Sequence, residues 1–249
     1  MKVLTIDKGN TNCKFAIFED GRLDRRGIRN DMEELEVLIW EIRPDMVSFS
    51  SVVPEWSRDI KKRLDISGFP YKEMSSDVKL PFKLLVDEPR RLGPDRIALA
   101  CGARYLGFDR AVIVDAGTAL TVDLLSENGF EGGAIFPGPE LLIKALSTGT
   151  ALIGNVEFSD KVPVLPARNT SDAVRAGSFW GFIGAVNSLV LSMVSKIDGM
   201  IGWDKKAVLI SGGHAGWVVE HLEPEIKKLA DIEKDLIFYG LYSILHIDS

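Results

Sequence analysis

Asp7-Lys8-Gly9-Asn10-Thr11 ends the apolar run KVLTI, and its residue types suit a phosphate. Glycine lets the chain turn tightly and lets a phosphate come close to the backbone. Successive amides in such a turn form an anion-binding nest, to which Asn10 and Thr11 add side-chain hydrogen bonds. Asp7, at the strand end, is placed to orient a metal ion or its waters, and Lys14 offers positive charge to a transferred phosphoryl group. An ordinary hairpin turn has much the same composition, so one copy decides nothing. A second copy, Asp115-Ala116-Gly117-Thr118-Ala119, follows the apolar run AVIV, with Asp123 further along. SGGHAG at 211–216 is an apolar strand end running into a double glycine. Gly93-Pro94-Asp95-Arg96 adds a carboxylate able to accept a proton from an alcohol. It also adds a guanidinium able to hold a carbonyl or carboxylate by forked hydrogen bonds. Alone, that tetrapeptide reads equally as a helix N-terminal acid with a surface arginine.

The elements that position these residues alternate between strand and helix. KVLTI and CKFAIF are strands, the second ending at the Asp-Gly turn of EDGR. Asp31 caps a helix whose Leu35, Leu38, Ile39 and Ile42 share a face and which Pro44 stops. MVSFSSVV reads as a buried strand, Pro54 opens a helix through Leu64, and the irregular stretch from about Glu73 to Arg91 reads as a long connection. IALACGARYLG is a helix, after which AVIVDAGTALTVDLLSENGFEGGAIF repeats the opening plan of strand, Asp, turn, strand and Asx-Gly turn. Gly138 to Leu146 continues as a helix and VPVLPARN is a loop. Thr170, a good helix N-cap, begins a long helix toward Ile197 with Gly177, Gly181 and Gly184 along it. KAVLIS is a strand and IFYGLYSILHI a closing helix. Self-similarity of this kind predicts an α/β chain of two related halves, 1–110 and 111–249.

Composition narrows the function. The chain has 249 residues, 46% hydrophobic and 27% charged, with a formal net charge of −6. That balance argues against a nucleic-acid surface, which needs concentrated positive charge. No apolar run approaches the roughly 20 residues that span a bilayer, and MKVLTIDKGN meets Asp and Gly too early for a signal-peptide core, so a cytoplasmic location is expected. Cys13 and Cys101 follow no metal or redox spacing, and His214, His221 and His246 are scattered, so zinc chemistry is not expected.

The segments DxGNT, GxDR, DxGTA, GGxIxPG (Gly132 to Gly138) and NTxxAVxxG stand in this order along essentially the whole chain. Together they resemble the type III pantothenate kinases. The resemblance implies a two-lobed actin-like or hexokinase-like (ribonuclease H-like) ATPase fold with duplicated α/β domains and the nucleotide between lobes. Residues 1–110 would carry the first phosphate turn and GPDR. Residues 111–249 would carry the second turn, the adenosine motif and a dimer helix. It implies transfer of phosphate from Mg-ATP to pantothenate, giving ADP and 4′-phosphopantothenate at the start of coenzyme A synthesis. ATP binding is implied for Asp7, Lys8, Gly9, Asn10, Thr11, Asn12, Cys13, Lys14 and Thr118. Substrate binding is implied for Gly93, Pro94, Asp95, Arg96 and Thr170, the last across a homodimer interface. Asp95 is implied as the base and Asp115 as holding a monovalent cation, potassium or ammonium. Two features depart from the family pattern: Lys8 replaces an apolar or small residue, and Leu84 stands where an aromatic residue is common, with Phe82 nearby. A kinase of another small acceptor, or a non-catalytic nucleotide-dependent regulator, would share the fold but has no need of intact GPDR and NTSDAV.

Overall fold

The computed structural model describes residues 1–197 and 207–247. Its backbone contacts gather into two units. The first comprises Met1–Asp109, Asn128–Phe130 and the segment from Asp235 onward; the second comprises Arg110–Glu127 and Glu131–Lys234.

In the first unit β1 (Lys2–Lys8), β2 (Cys13–Glu19) and β3 (Arg22–Arg29) form an antiparallel meander, and β4 (Met46–Ser51) and β5 (Tyr71–Glu73) extend it in parallel. The sheet order is β3-β2-β1-β4-β5. Asp20 and Gly21 both have positive φ in the β2–β3 turn, as the Asp-Gly pair predicts. One face of the sheet presents Leu4, Ile6, Phe15 and Ile17 to α1 (Met32–Ile42) and α2 (Pro54–Ser67), making one apolar core. Asp31 caps α1 by accepting the Glu34 amide, and Pro54 starts α2.

The opposite face receives α3 (Pro94–Tyr105) and α8 (Leu236–Ser243). There Phe18 of β2 stacks on Tyr242 with ring centroids 4.5 Å apart. Ile97 to Ala103 are all buried, which fits a run of small and apolar residues with no polar side. Two glycines let the helices touch backbone to backbone. A Cβ on Gly102 would lie on the Leu236 carbonyl, and one on Gly240 would lie on the Ala98 carbonyl. The closing helix, expected with the second half of the chain, therefore packs with the first unit. Periodicity announces a buried helix but not its partner; the matched glycines choose it.

The second unit repeats the plan. β7 (Ala111–Ala116), β8 (Ala119–Ser126) and β9 (Gly129–Pro137) form the meander, and β10 (Val208–Ser211) and β11 (Ala230–Ile232) follow in parallel on the other side of β7. The order β9-β8-β7-β10-β11 copies the first sheet strand for strand. This is the duplicated α/β architecture of the actin-like, hexokinase-like fold. The strand expected from Lys206 begins at Val208; Lys206 itself lies outside the described residues. The unit also holds α4 (Pro139–Gly149), α5 (Thr170–Val194), α6 (Ala215–His221) and α7 (Pro224–Leu229). By length and composition α5 passes for a membrane span, which the sequence reading did not anticipate. Its Phe179, Phe182, Ile183, Val186 and Val190 nevertheless pack with Val112, Val114 and Val122 of the sheet, as in a core helix.

The stretch 73–91 is more ordered than expected. Besides β5 it contains β6 (Lys83–Leu84), which pairs in parallel with Gly129 and Phe130, the two residues of β9 that belong to the first unit. Gly129 has a φ of 147°, and a Cβ there would occupy the Lys83 carbonyl.

Gly240→Ala forces a methyl into the Ala98 carbonyl and cannot be relieved by a side-chain rotation. It is expected to destabilise the protein by about 3 kcal/mol or more. Urea unfolding measures this, and a loss below about 0.5 kcal/mol would contradict the close helix crossing.

Candidate active site

Asp7 lies near the end of β1 on the same sheet face as α3 and α8, directly across from Lys14 on β2 and from Ser50 on β4. Cross-strand partners point the same way, so Lys14, Asp7 and Ser50 form a row over three adjacent strands. The Ser50 hydroxyl donates to Asp7 Oδ1 at 2.8 Å. Burial pushes the Asp7 carboxyl up to about 6. The Ser50 hydrogen bond, Lys14 and Lys8 oppose that rise, and the neighbouring Asp95 adds to it. Lys8 thus places its charge within electrostatic reach of Asp7.

Asp95 stands in the first turn of α3, where the helix dipole favours a negative charge. Its Oδ1 accepts the Arg96 amide at 2.9 Å. Burial nevertheless holds this carboxyl above the usual carboxylate range, against the pull of the Arg96 amide and guanidinium. Gly93, Pro94 and Arg96 each serve that placement. Pro94 occupies the first helical position, where its missing N–H costs nothing. A Cβ on Gly93 would meet Asp95 Oδ1, so glycine leaves the carboxylate free to fold back over the helix start. The Arg96 guanidinium lies over the ring of Phe130, 5.6 Å from its centroid.

Between β1 and β2, Gly9 to Asn12 form the loop, closed by the Gly9 amide donating to the Asn12 carbonyl at 3.0 Å. Asn10, Thr11 and Asn12 are exposed. Cys13 differs from the rest of the expected run. It is 4% exposed and sits in the α1–α2 core, so beside a nucleotide it has only its backbone to offer.

In the second unit Asp115 occupies the matching position, paired across to Thr121 on β8 and Ser211 on β10. Thr121 Oγ1 is buried without a hydrogen-bond partner. The turn beside it is tight: the Gly117 amide donates to the Ala119 carbonyl at 3.1 Å, and the Gly138 amide donates to the Thr118 carbonyl at 3.0 Å. Gly212, with a φ of 93°, passes so close that a Cβ would lie 2.6 Å from Asp115 Oδ1 and on the Ala116 carbonyl. The Ala116 carbonyl accepts the His214 amide at 2.9 Å, which carries the glycine turn directly into α6. Cβ atoms on Gly213 and Gly216 would meet nothing within 4 Å, so that backbone is open.

Thr170 is exposed and is the first helical residue of α5 rather than its cap. Asn169 is the cap, accepting the Asp172 amide at 2.9 Å and donating to the Asp172 carboxylate at 2.7 Å. A cavity of about 640 Å³ opens nearby between residues 157–168 and the side chains of Asp172 and Arg175. Gly177, Gly181 and Gly184 lie on the exposed side of α5, with nothing within 4 Å of where their Cβ atoms would be.

Three contributors escape a motif reading. Ser50 and Phe130 reach their neighbours through strand pairing or a ring contact between distant parts of the chain, and Thr121 reaches Asp115 across the β7–β8 hairpin. For Ser50 a sequence signal existed: MVSFSS and AVLIS are the matching fourth strands of a duplicated unit, and each carries serine opposite its aspartate.

The described residues contain no cluster of three or more His, Cys, Asp or Glu side chains suited to a metal. Oxygen donors of other kinds are present around Asp115. A buried orphan hydroxyl beside a carboxylate fits a weakly held monovalent cation, which takes hydroxyl, carbonyl and carboxylate oxygens alike. The half-buried Asp7 carboxylate fits the outer coordination sphere of a magnesium ion brought in by ATP.

Comparison with known proteins identifies the family. The profile of the family described as type III pantothenate kinase matches residues 3–192. A type III pantothenate kinase of Thermobifida fusca is 31% identical over 89% of this chain and 91% of its own. Another, of Chlorobaculum parvum, is 29% identical over 99% of this chain and 95% of its own. Among solved structures, a Campylobacter jejuni protein described as a Baf-family transcriptional activator shares the fold. Its TM-score is 0.63 at 23% identity, and 98% of each chain is covered.

The Asp7 titration has a stability consequence. A carboxyl whose pKa is higher folded than unfolded loses its proton first in the unfolded chain, so ionisation works against the fold. The cost appears from about pH 4, is complete above pH 6, and is on the order of 3 kcal/mol. Without nucleotide or divalent metal, Asp7→Asn should therefore melt at a higher temperature than the wild type at pH 8. The advantage should close as the pH falls to 4. An equal gap at both pH values would show that Asp7 is not held ionised at a cost.

Proposed function

The chain belongs to the type III pantothenate kinase family, and from that premise we propose which of its residues perform the transfer. As a member it is a phosphotransferase, moving the γ-phosphoryl group of ATP to pantothenate to give 4′-phosphopantothenate for coenzyme A synthesis. We propose that Asp95 is its general base. The observation that carries this reading is the Asp95 carboxylate, fixed at the start of α3 within electrostatic reach of the Lys14–Asp7–Ser50 row. A carboxylate raised by burial is a better proton acceptor than an ordinary one. As the pantothenate hydroxyl oxygen bonds to the γ-phosphorus, its proton passes to Asp95. The bond between that phosphorus and the bridging oxygen breaks, and ADP leaves.

The remaining assignments follow from chemistry at each position. The turn from Asp7 to Lys14 binds the ATP phosphates, with Lys14 meeting the charge that builds on the transferred group and Asp7 orienting the waters of magnesium. Thr118 is a further nucleotide contact, and Asp115 with Thr121 holds a potassium or ammonium ion that supplies local positive charge. Gly93 and Pro94 shape the acceptor site, and Arg96 grips the pantothenate carboxylate. Residues 1–110 and 111–234 act as the two phosphate-turn lobes, with the closing helix serving the first. Thr170 completes the acceptor site of a second copy of the chain, joined through the exposed glycine face of α5; its solvent exposure and unused hydroxyl support this. The enzyme works in the cytoplasm, where its substrate ATP is made.

A coupled ADP-release assay against pantothenate and a panel of sugars and small acids tests the function, with pantothenate expected to stand alone. In Asp95→Asn, kcat should fall by about 10²–10⁴-fold with ATP binding little changed, and the acidic limb of the kcat/KM pH profile, where activity rises as Asp95 loses its proton, should vanish. Near-normal kcat in the folded, saturated variant would remove Asp95 from the chemistry.

Turnover should be faster in potassium than in sodium buffer at matched ionic strength, and light scattering should give about twice the 27.5 kDa chain mass. Equal rates in the two buffers would dismiss the cation site. A fully active monomer would dismiss the dimer.

A further inference from the structure

Arg96 is the residue on which acceptor recognition rests in the reading above, yet a long flexible side chain is a poor gripper unless something holds it. Fixing an arginine costs rotamer entropy. The ring of Phe130 lies under the guanidinium, 5.6 Å from ring centroid to guanidinium carbon. That is within the range where a cation is drawn to an aromatic face. Phe130 is itself fully buried, so it cannot touch a substrate. Its backbone is immobilised from the other side. The Leu85 amide donates to the Phe130 carbonyl at 2.8 Å, and Leu84 is its partner in the β6–β9 pairing. Gly129 next to it allows the close approach of Lys83 that this pairing needs.

We infer that Phe130 is the positioning residue for Arg96: it holds the guanidinium over its ring so that the N–H donors at the rim are presented, already ordered, to the carboxylate of the acceptor. The inference rests on the pantothenate kinase reading and on Arg96 as the carboxylate grip. It also gives the Leu84 position a meaning. The aromatic group missing from the segment before Gly93 is present one strand away, on Leu84's pairing partner, and it acts on the arginine instead of on the substrate.

The test compares wild type with two variants on two acceptors, pantothenate and pantothenyl alcohol, which lacks the carboxylate. Phe130→Leu keeps an apolar side chain and removes the aromatic face. A fluorinated phenylalanine at 130 keeps the ring's shape and drains its negative face. For Phe130→Leu, KM for pantothenate should rise about 3- to 30-fold, with kcat within about 3-fold of wild type and KM for ATP unchanged. The fluorinated residue should give a smaller rise in the same direction. For pantothenyl alcohol both variants should match the wild type, because no carboxylate is there to be held. An unchanged KM for pantothenate, or equal rises for both acceptors, would overturn the positioning role, the latter result marking a general distortion of the pocket. Failure of the wild type to phosphorylate pantothenate, or to favour the acid over the alcohol, would instead overturn the underlying reading and this inference with it.

Discussion

The crossing of α3 over α8 is the constraint on which the first unit's chemistry depends. Gly102 and Gly240 let two backbones meet where any side chain would hold them apart. That contact sets the height of α3 above the sheet, and with it the position of Asp95 relative to Asp7. Ser48 and Ser50 on β4 serve the same end, since small side chains under the helix keep the approach close. Protein interiors transmit displacement because they are packed to crystal density. A helix lifted at residues 98–102 would lift its first turn too. The last helix of the chain therefore contributes to a site that none of its own residues is assigned to.

Within that geometry the fold accepts an electrostatic penalty. Asp7 and Asp95 are both partly withdrawn from water and within reach of each other's charge, and both carboxyls are raised by burial. Lys14, Lys8 and the Ser50 hydroxyl soften the cost at Asp7, and the Arg96 amide and guanidinium soften it at Asp95. None of them cancels it. Perturbed carboxylates held together in this way mark sites kept for chemistry at some expense of stability.

What the sequence discloses of this site follows the range of the interactions involved. The turns at Asp7 and Asp115, the Asp20-Gly21 hairpin, the Asp31 cap and the Pro94 helix start are set by neighbours within a few residues, so composition and spacing reveal them. The family motifs then supply roles for residues such as Thr170 that no local rule assigns. Non-local pairing is silent in a single sequence. Nothing around Ser50 states that it will lie beside Asp7, and nothing around Phe130 states that it will lie under Arg96. The closing helix was legible as a helix and illegible as a partner of α3, because its allegiance depends on two glycines 138 residues apart in the chain. The cap at Asn169 was missed by one place, since Asn and Thr are both good caps and only backbone geometry separates them.

The duplication shows how one scaffold comes to hold two different ionic environments. Each sheet places an aspartate on its first strand, a partner on the second strand and a serine on the adjoining parallel strand. In the first unit the partner is Lys14, a fixed cation opposite a carboxylate. In the second it is Thr121, whose buried hydroxyl brings no charge and finds no protein partner. A carboxylate facing a lysine has a neutralising charge built into the adjoining strand, whereas across from Asp115 a neutral hydroxyl stands in that place. Glycine completes the contrast: the Gly212 backbone passes so close to Asp115 Oδ1 and the Ala116 carbonyl that no side chain fits between them. This contrast, a lysine across from Asp7 and a neutral hydroxyl across from Asp115, is what favours Asp115 over Asp7 in the proposal of a monovalent cation.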